Sequence, residues 1–287
     1  MMIDYVSIIN DTLSQYIIKA YPEIIYDAML YSVTAGGKRM RPRLMIHTAE
    51  GFGGSMDRVM PFACALEFIH TYSLIHDDLP CMDDDDLRRG VPTNHKVYGE
   101  AMALLAGDAL LNSAYEIMAG ECFNNCIPET VSAMYEIASS AGVNGMIGGQ
   151  VVDIISEDKI IDESTLLYIH KNKTAAIITA AFAAGAILSG ADKRSVKALK
   201  EAAGYFGTAF QIKDDILDVK STTEVLGKPV GSDAKNAKIT YVSMFGIEKA
   251  EKDFAELSQK SLDIIKSLAL KTDSLEKYMS ELMYRTF

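Results

Sequence analysis

Apolar positions recur at alternating steps of three and four along most of this chain. In "DKRSVKALKEAAGYFGTAFQIKDDILDV", Val196, Leu199, Ala203, Phe206 and Phe210 follow that rhythm. With Asp192 placed as an N-cap, they predict an amphipathic helix of six turns or more. Phe254, Leu257, Ile264, Ile265 and Leu268 make a similar stripe near the end, and Ile3, Val6, Leu13 and Ile17 make one near the start. Pro61, a residue favoured in a first helical turn, is expected to open a helix that carries Phe62, Leu66, Ile69 and Leu74 toward a run of aspartates. "TAAIITAAFAAGAILSGA" (174–191) holds no charge over 18 residues, near the length of a membrane span. Eight of those residues are alanine, which is too little apolar surface for a lipid-facing helix; the segment predicts a helix buried on every side.

Period-two alternation and 20 to 50 residue repeats are not evident, and no proline falls between Pro128 and Pro229. The expected fold is therefore all-α, a bundle of roughly ten or more helices. Nothing resembles an interdomain linker, so 1–287 is read as one domain. "GFGGSMD" (51–57) and "STTEVLGKPVGSDAKNAK" (221–238) are the loops, the second long enough to be functional.

The formal charge of -11 argues against a nucleic-acid binder. Cys64, Cys81, Cys122 and Cys126 lack both zinc-site pairing and disulfide-scaffold density. They read as reduced thiols of a cytoplasmic protein. The opening "MMIDYVSIINDTLSQY" carries acids where a secretory signal would be apolar.

Against that background, "LIHDDLPCMDDDDLRRG" places six aspartates in ten positions, 77 to 86. Pro80 disfavours helix at Leu79, so Asp77 and Asp78 close a helix and Asp83 to Asp86 follow in a loop. "FQIKDDILD" puts Asp214 and Asp218 one turn apart on a helix, with Gln211 and Asp215 near the same face. Carboxylates this close repel unless cations neutralise them. Hard divalent ions are natural partners, and magnesium takes one or two carboxylates together with substrate phosphates. Neither cluster has calcium-loop spacing. Two clusters thus predict a phosphorylated substrate held between them. Basic groups suited to phosphate stand nearby in sequence: Lys38, Arg39, Arg41 and Arg43 in "AGGKRMRPR", Arg88 and Arg89 in "LRRG", Lys173 beside Thr174, and Lys228 in "LGKPVG". His70 lies seven residues before Asp77 on the same expected helix face, about 10 Å away along the axis.

These stretches, with "GGQVVDI" and "GKPVGSDAKNAKITY", resemble in order and spacing the motifs of the trans-isoprenyl diphosphate synthases, over about residues 36–241, and in particular the bacterial farnesyl diphosphate synthase (geranyltranstransferase) branch. The resemblance implies an isoprenoid synthase fold, with the helices around a central cavity, a homodimer and Mg²⁺ as cofactor, three ions with substrate bound, with Mn²⁺ as a substitute. It implies that Asp77, Asp78, Asp83, Asp214, Asp215 and Asp218 hold the metal ions, and that Arg88, Lys173, Thr174, Gln211, Lys228 and Lys238 contact an allylic diphosphate. Lys38, Arg41, His70 and Arg89 match positions that bind isopentenyl diphosphate, and Gln150 and Asp153 match a supporting motif. Tyr72, five residues before the first aspartate, and Ser73 match positions that set product length. A bulky ring at Tyr72 resembles synthases of C15 rather than C20 products. Ser232 and Val242 depart from the pattern, standing where many relatives have lysine and proline. A geranylgeranyl diphosphate synthase and a non-catalytic subunit of a heteromeric prenyltransferase are the rival readings; a terpene cyclase would not need Lys38, Arg41 and His70.

Overall fold

The computed structural model describes residues 3–220 and 239–284. The expected all-α architecture is what these residues adopt. In chain order the helices are α1 (Tyr5–Tyr16), α2 (Glu23–Thr34), α3 (Met40–Gly51), α4 (Met56–Asp77), α5 (Asn94–Tyr98), α6 (Glu100–Asn124), α7 (Pro128–Ala141), α8 (Met146–Ile155) and α9 (Glu163–Ile169). A π-helical turn over His170–Ala175 leads into α10 (Ala176–Leu188), followed by α11 (Lys193–Lys220), α12 (Tyr241–Phe245), α13 (Ile247–Ser267) and α14 (Ser274–Met283). A two-stranded antiparallel hairpin, β1 (Leu87–Arg88) with β2 (Val91–Pro92), adds the little sheet there is among the described residues. Its two-residue strands are too short to show as alternation in sequence.

Two helices form the centre. On α4, Phe62 to Phe68 are all buried and Ile69 follows, so this helix is enclosed on every side, with Glu67 the one charged residue in that stretch. The alanine-rich segment behaves as expected: α10 is buried along nearly its whole length. Its small side chains let neighbouring backbones approach closely, and a Cβ on Gly185 would collide with the Met45 carbonyl of α3. Of the C-terminal stripe, Phe254 and Ile265 are buried where α13 packs on α11, while Leu257, Ile264 and Leu268 are half-buried and Leu262, outside the expected stripe, is buried as well.

Two boundary expectations divide. Asp192 does cap α11, accepting from Ser195 N at 2.8 Å. Pro61 does not open α4: the helix begins at Met56, with Ser55 Oγ accepting from Asp57 N at 3.2 Å, and Pro61 lies inside it. A serine cap nearly two turns upstream outweighed the preference of proline for a first turn. At the N-terminus the stripe is shifted: Ile9, Leu13 and Ile17 are buried, whereas Ile3 is exposed. Among the described residues no helix is long and apolar enough to cross a membrane, and all four cysteines are free thiols.

Candidate active site

The first aspartate cluster is a helix end wrapped by its own loop. α4 stops at Asp77, Asp78 is its C-cap, and the chain turns back so that Asp83 N donates to the Asp77 carbonyl at 2.9 Å. Asp84 takes a left-handed φ of 48°, and the following residues form the hairpin. The six acids then separate by role. Arg88 forks onto Asp78, its Nε 2.9 Å from Oδ1, and also reaches Asp85 Oδ2 at 3.0 Å. Asp86 pairs with Lys96 at 2.7 Å, and the Asp85 carbonyl accepts from Thr93 Oγ1 at 2.7 Å. Asp84 to Asp86 therefore hold the hairpin that presents Arg88 and Arg89, while Asp77 and Asp83 stay half-buried at the helix end.

Electrostatics mark the same spot. Asp78 is buried, and burial pushes its carboxyl up to about 6 against the opposing pull of Arg88, with Asp85 and Asp77 adding repulsion. Burial acts on Arg88 to lower its pKa, yet the Asp78 hydrogen bond and the surrounding carboxylates hold it above the ordinary arginine value. Negative charge is concentrated here beyond what one arginine neutralises.

The second cluster lies on α11. Asp214 is half-buried, whereas Asp215 and Asp218 are buried. Asp215 accepts from Gln211 Nε2 at 3.0 Å and from the backbone N–H of Tyr241, the first residue of α12, at 2.7 Å. Gln211 in turn accepts from Thr174 Oγ1 at 2.9 Å. Thr174 sits in the π turn beside Lys173, whose ammonium lies 2.6 Å from Asp153 Oδ2 and 3.9 Å from Asp77 Oδ2. Gln150, one turn before Asp153 on α8, donates to Asp77 Oδ1. Two consecutive residues of the π turn thus link the two clusters, Lys173 toward the first and Thr174 toward the second. Such turns occur mostly where a helix is locally reshaped for a site. The approach of α8 depends on Gly149, because a Cβ there would overlap the backbone of Lys173.

Sequence reasoning missed His170. Its ring is buried, Nε2 lies 3.8 Å from Asp215 Oδ2, and burial lowers its pKa to about 4. Only the basic run "HKNKT" hinted at it. Lys228 and Lys238, together with Ser232, fall outside the described residues.

The basic motif splits between two faces. Arg39 and Arg43 turn inward: Arg39 Nη1 is 2.8 Å from Glu67 Oε1 and its Nε donates to Asn10 Oδ1 at 2.7 Å, while Arg43 lies 3.9 Å over the Tyr278 ring. Lys38 is exposed, and Arg41 gathers with His70 and Arg89. Burial lowers Arg41 to about 10, with Arg89 reinforcing the shift and Glu67 and Asp214 opposing it. His70 falls well below its ordinary value through burial and the charges of Arg41, Arg89, Arg88 and Arg39. Arg89 is lowered by burial and by Arg39 and Arg88. Arg41 Nε is buried without a hydrogen-bond partner. Cations held together at such cost fit a polyanion that supplies the missing acceptors.

Tyr72 and Ser73 lie on α4 one to two turns before Asp77. Tyr72 is buried and its hydroxyl is pushed up to about 12 by burial, with Tyr115 contributing. Ser73 Oγ donates to the His70 carbonyl at 2.9 Å.

The donor set suits magnesium. Asp77, Asp83 and Asp214 are carboxylates with partial access, the oxygen donors such an ion prefers. Among the described residues no group of three His, Cys, Asp or Glu side chains is placed to hold a metal ion by itself. Residues 22–282 match the profile of the polyprenyl synthetase family. The chain belongs to the polyprenyl synthetase family. Within it, the chain is 46% identical to the farnesyl diphosphate synthase of Geobacillus stearothermophilus, over 88% of this chain and 87% of that one. It is 47% identical to the geranylgeranyl diphosphate synthase of Cyanophora paradoxa, over 87% and 83%. The crystal structure of a synthase of Zymomonas mobilis described as FPP/GFPP synthase superposes with a TM-score of 0.85 at 32% identity, covering 97% of this chain and 95% of that one. A geranyltransferase of Helicobacter pylori complexed with magnesium and isoprenyl diphosphate gives 0.82 at 30%, covering 99% and 97%. This polyprenyl synthetase is a prenyltransferase, with the trans-prenyl diphosphate synthase activity that these relatives share.

Proposed function

We propose that the protein condenses isopentenyl diphosphate head to tail with dimethylallyl and then geranyl diphosphate, giving (2E,6E)-farnesyl diphosphate and releasing diphosphate, as a Mg²⁺-dependent homodimer of the cytoplasm. The observation that carries this reading is the grouping of Arg41, His70 and Arg89 around a buried, unpartnered guanidinium Nε. It lies beside aspartates linked to a second cluster through Lys173 and Thr174. One cationic site and one pair of carboxylate clusters suit two different diphosphates.

In this reading Asp77, Asp78 and Asp83 of the first cluster, with Asp214, Asp215 and Asp218 of the second, hold three Mg²⁺ ions, and Mn²⁺ can replace them. When bound there, Mg²⁺ would neutralise charge developing on the departing diphosphate and so favour ionisation of the allylic C–O bond. Arg88, Lys173, Thr174, Gln211, Lys228 and Lys238 orient that allylic diphosphate, and Lys38, Arg41, His70 and Arg89 hold isopentenyl diphosphate so that its double bond faces the cation. The double bond attacks the allylic carbon to form the new C–C bond, and the resulting cation loses a proton to the released diphosphate, which restores a double bond. Apolar side chains around the reacting centre exclude water from the carbocation. The free thiols support a reducing compartment.

The buried Tyr72 ring, about 7.5 Å below Asp77 on α4, supports C15 as the terminal product. A second reading, geranylgeranyl diphosphate synthase, is favoured by relatives of that name, such as the Cyanophora paradoxa protein at 47% identity. The test is incubation with isopentenyl diphosphate, each allylic starter and Mg²⁺, then chromatography of the dephosphorylated products. Farnesol as the main product is expected; geranylgeraniol would support the second reading. No elongation by the folded protein would leave only the non-catalytic subunit.

A further inference from the structure

His76 has no place in either diphosphate site, yet it is held on three sides. Its Nε2 lies 3.0 Å from the Leu104 carbonyl of α6 and 3.9 Å from Asp108 Oδ1. Its ring meets that of Tyr72, one turn earlier on α4, edge to face at 5.6 Å and 79°. The imidazole occupies a gap in α6 that exists only because residue 107 is glycine: a Cβ there would overlap the ring nitrogen. Helical side chains lean back toward the preceding turn, so His76 covers Tyr72 on the side nearer Asp77. Edge-to-face aromatic pairs prefer one relative orientation, and α6 fixes the histidine partner of this one.

We propose that His76 is a positioning residue for Tyr72: wedged into the Gly107 gap and bonded to the Leu104 carbonyl, it holds the tyrosine ring across the end of the hydrocarbon cavity and so sets product length. The inference rests on the synthase reading above, with Tyr72 as the cavity floor. Deleting the imidazole leaves a space between α4 and α6. The Tyr72 ring, no longer held by its edge-to-face partner, swings into that space and so lowers the floor. Loss of His76 therefore lengthens the product, and the effect depends on the presence of the Tyr72 ring.

Four proteins test this: wild type, His76→Ala, Tyr72→Ala and the double variant. Total isopentenyl diphosphate incorporation is read separately from the C20 to C15 product ratio. His76→Ala is expected to raise that ratio on the order of tenfold, and to add little in the Tyr72→Ala background. An unchanged ratio in His76→Ala, or an equal increment in both backgrounds, would overturn the proposal. Loss of all incorporation in wild type would instead overturn the synthase reading. His76→Asn keeps a donor for the Leu104 carbonyl without the ring and should reproduce the shift if His76→Ala fails to fold. Competitive binding of C15 and C20 diphosphates gives the same comparison without turnover: relative affinity for the C20 ligand rises in either His76 variant, and an unchanged affinity ratio counts against the proposal.

Discussion

The Arg89 guanidinium occupies the space that a side chain on residue 37 would need: a Cβ on Gly37 would lie 2.7 Å from Arg89 Cζ. The guanidinium donates to the neighbouring Gly36 carbonyl, which ties the hairpin after the aspartates to the loop before α3. Gly37 also has a φ of +124°, a conformation that L side chains rarely adopt. Gly37→Ala should therefore displace Arg89 from the cationic site while leaving the aspartates in place. Since a hydrogen bond to a charged group is worth about 1.5 to 3 kcal/mol, KM for isopentenyl diphosphate should rise roughly ten- to a hundredfold, with much less change for the allylic substrate. Equal effects on both substrates would count against the assignment of Arg89.

Glu67 is the acidic partner of Arg39, and both side chains are almost completely buried. Arg39 also donates to the Val33 carbonyl at 2.5 Å, so the pair joins α2, α4 and the entrance to α3. Removing one partner of a buried ion pair leaves the other charge without compensation, at a cost of about 3 to 5 kcal/mol. Glu67→Ala should lower unfolding free energy by that amount in urea, whereas a fall below about 1 kcal/mol would mean that water relieves Arg39.

How far these arrangements could be foreseen depends on the physics behind each. Helices such as α11 and α13 were legible because burial of one face imposes a 3.6-residue rhythm on the side chains themselves, α10 because an uncharged, alanine-rich run suits a helix enclosed on every side, and the aspartate clusters because like charges in an apolar context require cations. The division of "GGKRMRPR" was not: Arg39 and Arg43 bind Glu67 and Tyr278, partners far away in sequence, so nothing local distinguishes them from Lys38 and Arg41. The same holds for His170, which reaches Asp215 only through the π turn. The start of α4 was misjudged because Pro61 was read as a first-turn residue, whereas the helix is capped upstream by Ser55.

Metal-free protein should lose stability as pH falls from 7 to 5. The folded-state pKa of His170 is about 4 against an ordinary 6.5, and His70 is likewise depressed. The unfolded chain therefore binds more protons below pH 6.5, and stability present above that value is lost on acidification. Asp78 acts in the opposite sense between 3.8 and about 6, because its folded pKa is raised, but it is one group against two. Removing His170 as His170→Gln should cut the loss between pH 7 and pH 5 by about 2 kcal/mol. Urea unfolding in chelator at the two pH values measures this, and an unchanged difference would show that folded His170 takes up its proton at the ordinary value, as it does in the unfolded chain.

Lys173 stands between two carboxylates, bonded to Asp153 at 2.6 Å and only 3.9 Å from Asp77. Asp153 thus draws the ammonium away from an oxygen that the proposed Mg²⁺ needs. Asp153→Asn keeps the size and the hydrogen-bonding capacity but removes the charge, so Lys173 should shift toward Asp77 and compete with the cation there. The expected result is a rise of about three- to tenfold in the Mg²⁺ concentration for half-maximal rate, with kcat at saturating Mg²⁺ changed by less. Lys173→Ala in the same background should restore the Mg²⁺ requirement while raising KM for the allylic diphosphate, because it removes both the competitor and a substrate contact. If Asp153→Asn instead lowers kcat with the Mg²⁺ dependence unchanged, Asp153 serves the geometry of the π turn and not the charge balance at Asp77.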